Sequence, residues 1–307
     1  MHPYDYVKKE PHFSLWLQET APHWLCYKAT FPSAHPNRYQ ENNTAHGEYF
    51  MPCTGKCFPF VILLHGLGDR SLVPCRMLAR DLAKRGIASF VLHLAVQSHR
   101  TSETAKGQPS IPTIDNWLEL FQVLVINTCQ LVDWAEGRKE LDSQAIAVIG
   151  ISIGGIASAI AMGVDKRIIA GTFIVTGGNM EEITWRGRSD AALTGHSCTQ
   201  EQCHNVYRHY PRYLAEVAEK GVENVIPAKE CFLFDPITFS SYLRGRPILM
   251  INAERDDFIP KKSTLEFWEA CGKPHIIWLP SNHTTIYRQY RLISREIIAF
   301  ISSTFDH

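Results

Sequence analysis

The chain is short of the features that announce a charged or lipid partner. Its 31 Lys and Arg are balanced by 31 Asp and Glu, which leaves no electrostatic footprint for nucleic acid or for an anionic membrane surface. Nowhere do about 18 apolar residues run together, the length a membrane-spanning helix needs. The first ten residues, Met1 to Glu10, lack the continuous apolar stretch of a signal peptide or anchor. A soluble, cytoplasmic protein is expected, with no nucleic-acid or membrane partner. The nine cysteines are odd in number and scattered over core-like segments and loops, which fits reduced intracellular thiols better than a disulfide framework. Cys198 and Cys203, flanked by His196 and His204, have the residue types of a zinc site. Their C-x4-C spacing is not a standard zinc pattern, however, and no metal or cofactor is expected. No Pro/Gly/Ser tract, charge block or internal repeat divides the 307 residues, so a single domain with a large core is expected.

What is present is an alternation of strand and helix. Phe60 to Leu64 is a continuous apolar run of the kind buried on both faces of a parallel sheet. A helical pattern over 75–85 and a strand over 87–94 complete a βαβ unit. A long helix from about Thr113 to Glu136 leads to the strand Ala145–Ile149. Further strands are read at 167–176, 247–252 and 275–279, with a helix over 265–271 and an amphipathic helix through Tyr287, Tyr290, Ile293, Ile297 and Phe300. This order implies a mostly parallel α/β sheet. The stretch 177–245 is too long for a simple crossover and reads as an inserted cap containing a helix near 207–219. Residues 1–58, with the strand-like run Trp24 to Phe31, are expected to add antiparallel edge strands.

The strand at 145–149 runs straight into Gly150-Ile151-Ser152-Ile153-Gly154, and a helical pattern follows. A serine at such a strand-turn-helix is held in a strained conformation that leaves its hydroxyl exposed above the sheet, and the flanking positions must lack bulk. The stretch Gly195-His196-Ser197-Cys198-Thr199 falls one residue short of the same motif and has neither strand nor helix around it. Ser152 is therefore the candidate nucleophile. Serine is a weak nucleophile at its free pKa, so it needs a base within hydrogen-bond reach and an acid to orient that base. In open α/β sheets such groups gather beyond the carboxyl ends of strands. Ala253 to Pro260 follow one strand, with Glu254, Asp256 and Asp257 as possible acids. Pro280 to Thr284 follow the last and carry His283.

Strand-H-G-L-G-D, then G-I-S-I-G-G, then E-R-D-D-F-I-P, then N-H resembles the α/β-hydrolase superfamily in motif order over residues 59–303. Within it the chain looks most like esterases of the dienelactone hydrolase and acetyl-esterase type. The resemblance implies the α/β-hydrolase fold: a mostly parallel twisted sheet with helices on both faces, and a cap inserted between the strands near 167–176 and 247–252. It implies Ser152 as nucleophile, Asp256 as acid in a D-x-x-[IV]-P pattern, and His283 as base. Asn282 stands where the family often has glycine. The oxyanion donors implied are the backbone N–H groups of Ile153 and Leu67, with Gly68 as runner-up, and His65 would brace the loop. The activity implied is a serine carboxylesterase acting on small to medium esters through an acyl-enzyme, with thioesters or sugar acetates as alternative substrates and a silent binding module as a further reading. Met180, Trp185 and Phe258 are candidate lining residues for an apolar acyl pocket, with plain packing as the competing reading.

Overall fold

The computed structural model describes residues 2–8, 12–36, 40–67, 69, 71–95, 117–188 and 198–305. Nine strands form one sheet: β1 (Ser14–Thr20), β2 (Trp24–Pro32), β3 (Thr44–Pro52), β4 (Phe58–Leu64), β5 (Ala88–Leu92), β6 (Leu141–Ile151), β7 (Ile168–Ile174), β8 (Ile248–Ala253) and β9 (His275–Leu279). Their spatial order is β1-β2-β3-β5-β4-β6-β7-β8-β9. The first three strands pair antiparallel, β3 pairs antiparallel with β5, and every pair from β5 to β9 is parallel. The α/β-hydrolase architecture expected from the motif order is the one observed. The helical pattern expected to start near Thr113 is described as α2 (Trp117–Glu136); residues 113–116 lie outside the described residues, as do 195–197 of the near-copy of the serine motif.

The parallel strands are apolar because both faces are covered. One face packs α2, α3 (Ile153–Val164) and the 177–245 segment into a core that includes Phe60, Ile62, Val148 and Phe173. The other packs α1 (Val73–Ala83) and α9 (Tyr290–Phe305) against Val61, Leu63, Ile149 and Ile251. Strands alternate their side chains between the two faces, so one continuous apolar run feeds two separate cores.

The 177–245 segment contains α4 (Met180–Arg186), α5 (Gln200–Tyr207), α6 (Tyr210–Lys220), α7 (Ser240–Leu243) and several short 3-10 turns. Phe234 stacks on Phe121 of α2 at 5.5 Å, and Tyr4 donates to the Leu233 carbonyl. One buried carboxylate ties much of the segment together. Asp235 accepts the backbone N–H groups of Asn179, Met180 and Ile237 and the Tyr207 hydroxyl. Burial nevertheless pushes its pKa up to about 6, because those donors offset desolvation only in part. No helix among the described residues is long and apolar enough to cross a membrane.

Candidate active site

Strand order dictates where a site can form. From β4 the chain passes to β5 on one side of the sheet, whereas β6 lies on the other, so the loops leaving the carboxyl ends of β4 and β6 diverge and open a crevice. The loop after β4 carries His65, Gly66 and Leu67, and the turn after β6 carries Ser152.

Ser152 has φ 56° and ψ −121°, a conformation that costs on the order of 1–3 kcal/mol and persists only when its surroundings enforce it. They do so from three sides. The Ser152 N–H donates to the Ile174 carbonyl at 2.8 Å, and the Ser152 carbonyl accepts from Gly155 and Ile156 in the first turn of α3. A Cβ on Gly154 would lie 2.5 Å from the carbonyl oxygens of both Leu64 and His65, and one on Gly150 would collide with the Gly154 carbonyl. The two glycines are thus the condition for β4, β6 and α3 to meet at this turn.

Beneath the turn, Val175 has φ 44°, unusual for a β-branched residue. Its N–H donates to the Ile251 carbonyl at 2.8 Å, and the following Thr176 N–H donates to Asn252 Oδ1 at 3.1 Å. Asn252 is a supporting residue that sequence reasoning missed. Its only signal in the sequence was a polar residue ending the apolar run Ile248–Ile251.

The structure brings Ser152, His283 and Asp256 together from three separate strand ends. His283 Nε2 lies 2.9 Å from Ser152 Oγ, and its Nδ1 lies 2.8 and 2.9 Å from the two oxygens of Asp256. Asp256 Oδ1 also accepts the backbone N–H groups of Phe258 and Ile259 at 2.9 and 2.8 Å, so the turn before Pro260 fixes the carboxylate. Of the alternative acids, Asp257 pairs instead with Arg188 at 3.3 Å, and Glu254 is exposed. Asn282 closes a turn of its own, in which its Oδ1 accepts from the Thr285 N–H and hydroxyl and its N–H donates to Thr285 Oγ1. That turn holds the loop on which His283 sits, which accounts for an asparagine where glycine is usual.

The Ile153 N–H is the first of α3 and has no partner within its own helix, so it is available to an anion together with the positive end of the helix dipole. Facing it is the 65–67 loop. A Cβ on Gly66 would come within 3.7 Å of the Ser152 Cβ, which places Leu67 one residue from van der Waals contact with the nucleophile candidate. His65 is fully buried. Its Nε2 accepts the Leu94 N–H at 3.0 Å, which leaves Nδ1 as the donor to the Gly66 carbonyl at 2.9 Å. Burial lowers its pKa to about 4, so the ring is neutral at neutral pH and serves as a strut. Gly68 lies outside the described residues.

The three pocket candidates separate. Phe258 packs its ring 5.0 Å from that of His283, and the Arg188 guanidinium stands 6.0 Å from the centre of the Phe258 ring. Met180 is buried in the core that covers this face of the sheet, and the partly buried Trp185 packs against that core. In the zinc-like cluster, His204 Nδ1 is 2.9 Å from Glu181, and His196 lies outside the described residues. Among the described residues, no group of three or more His, Cys, Asp or Glu side chains is arranged to hold a metal ion.

Residues 18–181 match the model of the family described as alpha/beta hydrolase domain containing 18, just over half of the chain. The chain belongs to this family. The match takes in Ser152, Ile153 and the 65–67 loop and stops before Asp256 and His283, so this hydrolase's acid and base candidates rest on the geometry above. Solved structures share the fold at low identity. The acetyl xylan esterase from Paenibacillus sp. R4 is 18% identical with a TM-score of 0.66, covering 95% of this chain and 89% of that one. Acetyl xylan esterase 1 from Thermoanaerobacterium sp. JW/SL YS485 is 17% identical with a TM-score of 0.61, covering 92% and 88%. A cold-adapted esterase from an Arctic intertidal metagenomic library is 14% identical with a TM-score of 0.60, covering 91% and 95%. No curated protein matches the chain.

Proposed function

We propose that this α/β hydrolase is a serine carboxylesterase that cleaves small to medium carboxylic esters through an acyl-enzyme intermediate. The observation that carries the reading is the unbroken path from Ser152 Oγ to His283 Nε2 and from His283 Nδ1 to Asp256, with each hydrogen bond at 2.8–2.9 Å. His283 takes the Ser152 proton as Oγ attacks the ester carbonyl, and Asp256 stabilises the imidazolium that results. The oxyanion is received by the N–H groups of Ile153 and Leu67, each worth about 2.7–4 kcal/mol of barrier in comparable sites. The imidazolium then protonates the leaving alcohol. A water, deprotonated by the same ring, releases the acid and restores Ser152.

Two of the structurally similar proteins are acetyl xylan esterases, which makes an acetylated sugar the second substrate class to assay alongside aryl esters and thioesters. Ser152→Ala is expected to abolish turnover of p-nitrophenyl acetate while leaving the melting temperature near that of the wild type. Retention of an appreciable part of the wild-type rate would remove Ser152 from the mechanism.

A further inference from the structure

Two thiols that the esterase reading leaves unused occupy a defined place in a helix-capping motif. Helix α5 opens with Thr199 as its N-cap. The Thr199 side chain accepts the Gln202 N–H, and the Gln202 side chain accepts the Thr199 N–H, a reciprocal capping box. In such a motif the residue before the cap and the fourth residue of the helix pack on one another as a staple. Those positions in Cys198-Thr199-Gln200-Glu201-Gln202-Cys203 are both cysteine. The staple positions set the two side chains beside one another on the first turn of the helix, and neither cysteine is engaged in a disulfide. Cys203 is buried, while Cys198 is partly exposed.

We propose that Cys198 and Cys203 form a reversible dithiol–disulfide site, a capping staple that an oxidant of the low-molecular-weight disulfide class can close covalently. The reaction balances as two exchanges. The Cys198 thiolate attacks one sulfur of oxidised glutathione and expels a glutathione thiolate. The Cys203 thiol then loses its proton to that thiolate, attacks the Cys198 sulfur and expels the second glutathione thiolate, which takes up a solvent proton. The protein sulfurs lose two electrons in total and the glutathione sulfurs gain two.

Accessibility orders the steps, since the partly exposed sulfur meets the oxidant and the buried one resolves the adduct. The ring closed is short, so the chain-entropy gain is small and the bond remains open to reduction. The surroundings give closure a route to the rest of the fold. His204 of the same helix pairs with Glu181 of α4, and α4 leads directly to Gly187 and Arg188 against the Asp257–Phe258 turn.

Both cysteines lie in the single tryptic peptide 189–208, which separates an internal disulfide from any other product. The full chain is incubated under native conditions with oxidised glutathione, quenched by alkylation, digested and analysed by mass. The expected result is a 189–208 peptide lighter by two hydrogens, with the doubly alkylated form falling about tenfold or more and returning after reduction. In Cys203→Ser the resolving sulfur is gone, and a glutathione adduct accumulates on Cys198. A persistent glutathione adduct in the wild type, a cross-link to the peptide carrying Cys231, or full alkylation of both thiols would each overturn the proposal.

Discussion

Replacing Gly154 by alanine tests whether the nucleophile turn and the oxyanion loop form one rigid unit. The added Cβ would stand 2.5 Å from the carbonyl oxygens of Leu64 and His65. About half an ångström of separation must be found at the least, and close-packed interiors yield such space at a cost. β4 cannot give easily, since it is paired on both sides, with β5 and with β6. The displacement therefore falls on the 65–67 loop and the first turn of α3, the two segments proposed to supply the oxyanion N–H groups. Overpacking of this kind costs about 1–3 kcal/mol, which for a chain of this size lowers the melting temperature by roughly 2–5 °C. Misplacing one donor lowers kcat about 10²-fold, toward the loss seen when a donor is removed. The assays are thermal melting by circular dichroism and hydrolysis of p-nitrophenyl acetate at saturation. Gly137→Ala is the control, because a Cβ there meets only the Trp134 carbonyl at an ordinary 3.5 Å. A Gly154→Ala protein with wild-type melting and wild-type kcat would refute the idea of a rigid unit. Reduced stability with full kcat would refute only its catalytic half.

Further outcomes follow from the buried polar groups. His65→Ala leaves the Leu94 N–H and the Gly66 carbonyl without their side-chain partner; a loss of about 1–3 kcal/mol per group is expected in urea denaturation, with kcat falling more than KM rises because the proposed oxyanion loop loses its strut. Asp235 gives the fold a pH dependence of definite sign. Its pKa rises from 3.8 unfolded to about 6 folded, so the stabilisation by its protonated form is present below about pH 4 and is lost as pH rises through about 6. The difference of two units corresponds to about 3 kcal/mol. Asp235→Asn cannot titrate, so its stability relative to wild type should improve by about that amount between pH 4 and pH 7, and a relative stability flat across this window would contradict the assignment.

The sheet was legible because its strands are apolar runs whose meaning does not depend on distant partners, and because Gly150 and Gly154 mark a close approach that any chain making this turn must allow. The spacing from Asp256 to Pro260 was equally readable, since it encodes a local turn whose N–H groups hold the carboxylate. Trp185 was less legible. An aromatic residue after a strand suits a pocket or a core equally well, and the core that Trp185 packs against is assembled from residues far apart in the chain. Asp235 was invisible for the same reason: it lies in no motif, and its importance comes from donors contributed by residues 179, 180, 207 and 237. Asn252 and the strained Val175 beneath the turn escaped notice because a single polar residue or a positive φ leaves little trace in sequence.

Labelling with a fluorophosphonate probe tests the serine-esterase mechanism most directly, because such a probe reacts with a serine only where a base activates it and an oxyanion site receives the adduct. One probe per chain is predicted, located on Ser152 by peptide mapping, with labelling lost in Ser152→Ala and slowed by several orders of magnitude in His283→Ala. A folded wild-type protein that stays unlabelled, or a label carried on another serine, would contradict it.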